Sequence, residues 1–500
     1  MNYSIELIEK DRSLSAVPNN DVSTFIVGVA SWGPINTVET ASNIITLINS
    51  VGYAIKDNLN SIALNGEALL QSTNTLYYTR IADSNAAAAT ATFQDSEATP
   101  EDTITVSGKW KGTFGNSLSI SIADGDTAGT KLLTVQRINL DGTVDTVETF
   151  DNLTKTGENS YEERINDKSD YIVVTDISAN SNQPNNLSKL LTGGNDGASN
   201  ITPSDYIGTV IGNTKTGLLS VNNKEAYDIT LLLVPGISEP SVVAAEVALA
   251  NKIYAMAILE PPMGLTAQEA KDWHNAEGSF IGTGIALNSE DATLAYPEGN
   301  YYDTANSQKV FLPVSTMKAC VIINSIGKYG IDAIPAGTAR GLLPIISGLA
   351  TDVSDADVKT LMGNANRINP FVRMSGRGII AMGDYTTFRK DSAKSKLHVM
   401  LIAKKLFRGI NSLAKDTLYE YNTRDTRSIF ANGVIDLLNP HFNAGSISKY
   451  NVVCDESNNT DSVLRTDSFV ADIYVQFASS VKTMKINFIY SALGSQITLT

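Results

Sequence analysis

Five hundred residues, 42% of them hydrophobic and 18% charged, suffice for several cores, and about three domains is the natural division for that length. A formal charge of −15 excludes wholesale nucleic-acid binding, because neutralising phosphates takes a cationic face. No apolar run approaches the ~20 residues that span a bilayer, so membrane insertion is excluded as well. The N-terminal decapeptide has neither the basic nor the apolar region of a secretion signal, so the chain is read as cytoplasmic when made.

The charge is unevenly distributed. Residues 366–450 hold 14 Lys and Arg against 6 Asp and Glu, a net of +8, whereas residues 1–365 hold 21 against 42. One basic unit therefore sits in an acidic protein. Two cysteines, Cys320 and Cys454, have no paired spacing, which argues against a disulfide framework or a thiolate metal site and for two buried thiols.

In chain order, residues 3–9 alternate, with Tyr3, Ile5 and Leu7 on one side, in a run too short to make a sheet alone. Such an arm needs a partner edge. A polar linker with Pro18 follows, and residues 25–30 read as a buried strand closed by a Ser-Trp-Gly-Pro turn at 31–34. Residues 38–70 read as helical and 75–81 as a strand, which implies an α/β layer. From Thr92 to Asp176 short strands alternate with the turn pairs Gly115-Asn116, Asp124-Gly125 and Asp141-Gly142, the pattern of a β-rich module inserted into that layer. A glycine-rich run at 192–197 closes it. Residues 227–234 and 254–259 are continuous apolar strands flanking a helix at 242–252, as in a parallel sheet covered by helices. Over residues 392–421, Met400, Ala403, Phe407, Ile410 and Ala414 recur at three or four, while Lys394, Lys405 and Arg408 group on another side, with Arg389 and Lys390 just before. Near the C-terminus, Ile473, Val475 and Phe477 alternate with Asp472, Tyr474 and Gln476, and a further strand-like run covers Lys485, Ile486, Asn487, Phe488, Ile489 and Tyr490.

Motifs for catalysis are incomplete. Gly212 and Gly217 have P-loop spacing, but Leu218 and Leu219 stand where Lys and Ser or Thr must reach the phosphates and Mg²⁺. Gly376 and Gly378 lack the third glycine of a dinucleotide fingerprint, and Arg373 stands where a nucleophile elbow needs glycine. His274, His398 and His441 have no neighbour at metal-ligand spacing, and Asp124 and Asp126 around Gly125 read as a turn rather than a Ca²⁺ site. The chain is read as a non-enzyme without cofactor or metal.

Several short segments, weak singly and strong in their shared order, carry a resemblance. Phe25-Ile-Val-Gly-Val-Ala-Ser-Trp-Gly-Pro34, Trp110-Lys-Gly-Thr-Phe-Gly-Asn-Ser-Leu118, Val147-Glu-Thr-Phe-Asp-Asn-Leu153 and Gly193-Gly-Asn-Asp-Gly197 come first. Ile334-Pro-Ala-Gly337, Ile368-Asn-Pro370, Gly376-Arg-Gly378, Val453-Cys-Asp455 and Asn459-Thr460 follow. In this order they resemble contractile tail sheath proteins of bacteriophages, relatives of pyocin and type VI secretion sheaths. The resemblance implies an α/β multidomain fold: an arm and linker at 1–22, an α/β core at 23–90 plus 198–365, an inserted β-rich domain at 91–197 placed on the outer surface, and a C-terminal α+β polymerisation domain at 366–500. It implies a homo-oligomeric helical sheath around an inner tail tube protein, bounded by baseplate and tail terminator proteins, in the virion tail and, during assembly, in the host cytoplasm. Terminal strands at Tyr3, Ile5 and Leu7 and at 485–490 would add to neighbouring sheets. Arg389, Lys390, Lys394, Lys405 and Arg408 would face the tube through weak ion pairs. The alternatives are an α/β enzyme with a β insertion, which needs a small-ligand site, a secretion-system sheath subunit, or a β-rich adhesin, which would normally carry a secretion signal.

Overall fold

Apolar runs without alternation form strands buried on both faces. In the computed structural model, which describes residues 22–73, 75–178, 181–466 and 468–479, Thr24–Gly28, Leu231–Leu233, Met256–Leu259 and Ala292–Tyr296 are buried at every position. They pair in parallel, with Leu76–Arg80 parallel to Thr24–Gly28 on one side and Asn369–Met374 parallel to Ala292–Tyr296 at the other. Antiparallel strands Val38–Ala41 and Gly378–Ala381 close the two edges of this eight-stranded sheet.

Helices cover both faces. Phe25, Val27, Leu232, Ala257 and Leu259 share a core with Val242, Val243 and Ala250 of helix Pro240–Ile253 and with Ala270 and Trp273 of helix Ala267–Asn275. On the opposite face helix Ile62–Leu70 packs on helix Val314–Tyr329, and both are buried over most of their length. Each buried aliphatic side chain there contributes about 1.5–3 kcal/mol of transfer free energy.

Residues 38–70, expected to be helical throughout, begin instead as the strand Val38–Ala41, followed by helices Ile44–Val51 and Ile62–Leu70. The cause is local. Asn43 Oδ1 accepts the Thr46 N–H in a capping box, fixing the first helix to start at Ile44, and Gly52 at φ +74° stops it.

The β-rich module is a three-stranded sheet of Thr90–Gln94, Asp102–Gly108 and Ile172–Asp176, and a four-stranded sheet of Leu187–Leu190, Leu118–Asp124, Lys131–Ile138 and Val144–Leu153. Their inner residues, among them Phe93, Ile104, Val106, Ile120, Leu133 and Val174, form a second core that Trp32 enters from the Ser-Trp-Gly-Pro turn, its ring 5.2 Å from Phe114. Arg80 holds the seam. Its guanidinium, fully buried, donates to the carbonyls of Gly33 and Lys111 at 2.7 Å and of Asp196 at 3.3 Å. Burial lowers its pKa to about 10, with Asp196 acting the other way.

Two compact units divide between Phe407 and Arg408. Residues 369–381, grouped by the sequence reading with a C-terminal domain from residue 366, pair into the core sheet. Asn369 fixes that pairing: its Nδ2 donates to Thr293 Oγ1, Leu294 O and Tyr385 O, and its Oδ1 accepts the Tyr385 N–H. The second unit contains the end of helix Leu397–Thr417, helix Arg424–Asn443, and a two-stranded antiparallel sheet of Ile447–Val453 and Asp472–Phe477.

Candidate functional site

In a doubly wound sheet a ligand is taken outside the carboxyl ends of the strands, where the connections reverse direction. Here that point lies between Thr24–Gly28 and Leu231–Leu233, and the chain itself fills it. Asn60 Nδ2 donates to Val27 O at 3.2 Å and to Pro235 O at 2.7 Å, bridging the two strand ends. A Cβ on Gly28 would stand 2.3 Å from Asn60 O, so the backbone is already in contact. Beside it Glu260 accepts the N–H groups of Gly236 and, at 3.0 Å, Ser315. Its carboxyl is pushed up to about 7 by burial, while those bonds act the other way. At this crest the strand ends are bridged by the chain's own Asn60. The loop with P-loop glycine spacing is a hairpin, Val210–Ile211 against Thr214–Lys215. Asp124 holds Lys131 at 2.8 Å, and no metal-binding cluster occurs among the described residues.

The strongest candidate is the small sheet of the C-terminal unit. Tyr450 pairs with Val475 and Asn451 with Tyr474. An isolated pair of strands is marginal in water, and this one is supported by helix Arg424–Asn443: Tyr450 donates to Asn439 Oδ1 at 2.6 Å and stacks edge-on to Phe442 at 5.7 Å, while Val434, Leu438 and Ile447 are buried. Asn458 and Asn459 brace the connection. Asn458 Nδ2 donates to Val453 O and Asp472 Oδ2, and Asn459 exchanges hydrogen bonds with the Val470 backbone. Among the described residues each strand has one neighbour, so each keeps an outer edge of backbone donors and acceptors. Tyr474 is 61% exposed on this sheet. The same unit exposes Leu418, Tyr419 and Tyr421 between its two helices, and Ile429 on the second, an apolar group that periodicity does not single out.

The strand candidates Tyr3, Ile5, Leu7 and Lys485, Ile486, Asn487, Phe488, Ile489, Tyr490 lie outside the described residues. The cationic candidates are scattered over different environments. Lys394 precedes the helix, in the turn Ala393–Ser395, and pairs with Glu290 at 2.7 Å; Lys390 is exposed; Lys405 and Arg408 are half-buried on helix Leu397–Thr417. Arg389 turns Nε and Nη2 inward. Of the expected apolar stripe on this helix Met400 is buried and Ala403 and Ile410 are half-buried, but Phe407 and Ala414 are exposed, and burial runs on all sides from Leu397 to Ile402 and takes in Lys404 and Leu406. The first turns are enclosed on every side, so a 3–4 period marks no face there. Lys404 is buried in an ion pair with Asp291 at 2.6 Å, and Asp384 accepts the His398 N–H at 3.0 Å and lies 2.5 Å from His398 Nδ1, anchoring the helix start. Neither partner is near in sequence, so no local pattern announces either pair.

No family model matches the chain. It is 27% identical over 293 residues to the tail sheath protein of Enterobacteria phage T4, an alignment covering 55% of this chain and 43% of that protein. All the curated relatives it matches carry the name tail sheath protein, and each alignment spans less than half of the relative's own length. Among solved structures, the sheath tail protein of Listeria innocua superposes with a TM-score of 0.62 at 13% identity over 92% of both chains. The chain resembles tail sheath proteins and has their fold. A sheath chain of the anti-feeding prophage, solved as a contracted helical sheath, matches with a TM-score of 0.54 at 13% identity over 98% of this chain and 99% of that one. The sheath fold thus accounts for the core sheet, the β-rich module and the C-terminal unit together.

Proposed function

We propose that this chain is the structural subunit of a contractile tail sheath, polymerising helically around an inner tail tube and contracting to drive the tube through a target envelope. The observation that carries the reading is the two-stranded sheet of the C-terminal unit, taken with the tail sheath likeness. An edge that lacks a neighbour is completed by an extended segment of another copy, main-chain hydrogen bonds giving affinity and alternating side chains giving register. The donors are residues 485–490 and the arm at Tyr3, Ile5 and Leu7. Strand exchange through extended linkers keeps a lattice connected while its subunits rotate and slide. No cofactor or hydrolysis is required, since the free energy is held in a kinetically trapped extended lattice. The basic stretch with Lys390, Lys394, Lys405 and Arg408, without the inward-turned Arg389, guides the sheath onto an acidic tube through pairs worth about 0.2–1 kcal/mol each, weak enough to release on contraction. The particle is completed by baseplate and terminator proteins in the virion tail after assembly in the host cytoplasm.

Negative-stain electron microscopy of the full chain beside a version ending before Lys485 tests the reading. Long hollow cylinders are expected from the first and none from the second. A full chain that stays monomeric across salt and concentration overturns it. Reversing Lys405 and Arg408 to Glu is expected to weaken co-assembly with tube protein, and unchanged co-assembly removes the tube-facing role.

A further inference from the structure

A surface cavity of about 530 Å³ opens where two helices of the core end. Ser72, two residues past helix Ile62–Leu70, lines it together with Lys328 and Tyr329 from the last turn of helix Val314–Tyr329 and Arg340, Leu342 and Pro344 from the segment that follows. That volume suits a few side chains or a small ligand. The second wall is fixed backbone: the Leu343 N–H donates to Ile379 O at 3.0 Å and the Ala381 N–H to Gly341 O at 2.8 Å, which ties it to the edge strand Gly378–Ala381.

The lining is cationic and apolar together. Lys328 Nζ lies 5.2 Å and Arg340 Cζ 5.5 Å from the centre of the Tyr329 ring. Tyr329 is 46% and Leu342 45% exposed, so the apolar surface is open to a partner. Among the described residues no Asp or Glu lines the cavity, although residues 1–365 hold 42 acidic side chains against 21 basic ones. The groove is a cationic exception in an acidic region.

The chain enters the fold beside this groove. Val22, the first described residue, is buried; its carbonyl accepts the Thr73 hydroxyl at 3.3 Å, and the Thr24 N–H donates to Thr75 O at 3.3 Å. Thr73 directly follows Ser72 of the cavity wall, so residues 1–21 join the fold next to it. Residues 10–21 span up to about 40 Å when extended, enough to turn back over the groove. Residues 3–9 carry Tyr3, Ile5, Leu7 and Ile8 together with Glu6 and Glu9 and no cation. The run thus complements the groove in both charge and apolarity.

We propose that the groove seats residues 3–9 of the same chain in the free subunit, with Glu6 and Glu9 against Lys328 and Arg340 and the apolar side chains against Tyr329 and Leu342. A tether of a dozen residues makes the contact intramolecular, which lets weak, exposed pairs hold it reversibly. The seat stands without the sheath reading. Its consequence rests on that reading: the arm that completes a neighbour's sheet is held on its own subunit until the neighbour offers a row of main-chain hydrogen bonds.

Photo-cross-linking of the full chain at high dilution tests the seat. With Leu342→p-benzoylphenylalanine, cross-links to residues 3–9 are expected within monomers, as identified by mass spectrometry of the separated monomer and dimer bands. Lys328→Glu with Arg340→Glu is expected to lower their yield about fivefold or more, and Lys328→Arg with Arg340→Lys to keep it, both with unchanged circular dichroism. Monomers whose cross-links miss residues 3–9 overturn the proposal. Cross-links to that run confined to dimers do so as well, since they assign the groove to a second copy, and so does an equal yield in the charge-reversed chain. Under the sheath reading the charge-reversed chain is expected to form cylinders after a shorter lag. An equal lag removes the restraint on assembly, whereas cylinders from no version of the chain count against the sheath reading alone.

Discussion

The eight-stranded core sheet and the small sheet of the C-terminal unit are finished to different degrees. The eight-stranded sheet has antiparallel strands at both edges, helices over both faces, and four inner strands buried at every residue. Among the described residues the sheet Ile447–Val453 with Asp472–Phe477 has two strands, helix Arg424–Asn443 in support, and Tyr474 exposed. The first is stabilised by its own subunit, because area removed from water is the dominant favourable term. Among the described residues nothing pairs with the outer edges of the second, and such edges are the kind natural folds usually cover. Substitutions in the two sheets should therefore report on different properties: subunit stability in the first, and in the second the lattice contact proposed above.

The largest effect on stability is expected in the core sheet. Leu232→Ala removes a buried side chain in register with Phe25 and should cost about 2–5 kcal/mol in denaturant unfolding. A cost below about 1 kcal/mol would mean that the inner strands are less tightly enclosed than their burial indicates. Asn369→Ala removes the side-chain acceptor of the Tyr385 N–H and one donor each to the Leu294 and Tyr385 carbonyls and should cost about 1–3 kcal/mol, detaching the edge strands first, as hydrogen exchange of residues 369–381 would register. Glu67 gives a smaller effect of opposite sign. Burial, and next the charge of Asp303, lift its carboxyl from 4.5 to about 7, while a Thr304 hydrogen bond acts the other way. The folded chain therefore holds a proton that the unfolded chain releases, so stability falls as pH rises from about 4.5 to about 7 and levels off above. Glu67→Gln should flatten that slope and stabilise the protein at pH 8 by about 1 kcal/mol, read from melting curves at pH 5 and pH 8. The smallest effect on the monomer belongs to the other sheet. Tyr474→Ser should shift subunit stability by less than about 0.5 kcal/mol while reducing cylinder formation, and a large loss of monomer stability would show that this sheet is already complete.

Much of the architecture was legible because the signals are local. Uninterrupted apolar runs announced the strands at 24–28, 231–233 and 256–259, and the pairs Asp124-Gly125 and Asp141-Gly142 announced the hairpins of the inserted module, whereas Gly115-Asn116 falls in the 3-10 turn Thr113–Ser117. The alternation of Ile473, Val475 and Phe477 appeared as the strand Asp472–Phe477. Where local signals conflict, as at 38–41, a short segment with helical spacing was taken by an open sheet edge, because strand pairing is a tertiary bond that periodicity does not encode.

What the sequence by itself determined, then, was which segments prefer to be strand, helix or turn, and the order in which they occur. The tertiary structure alone decided that Asn369 ties residues 369–381 to the core, and that Lys404 finds Asp291 and Asp384 finds His398. The physical reason is range. Side-chain and backbone preferences act over a few residues, whereas the desolvation and pairing of a buried charge depend on groups about a hundred residues away that only the folded chain brings together.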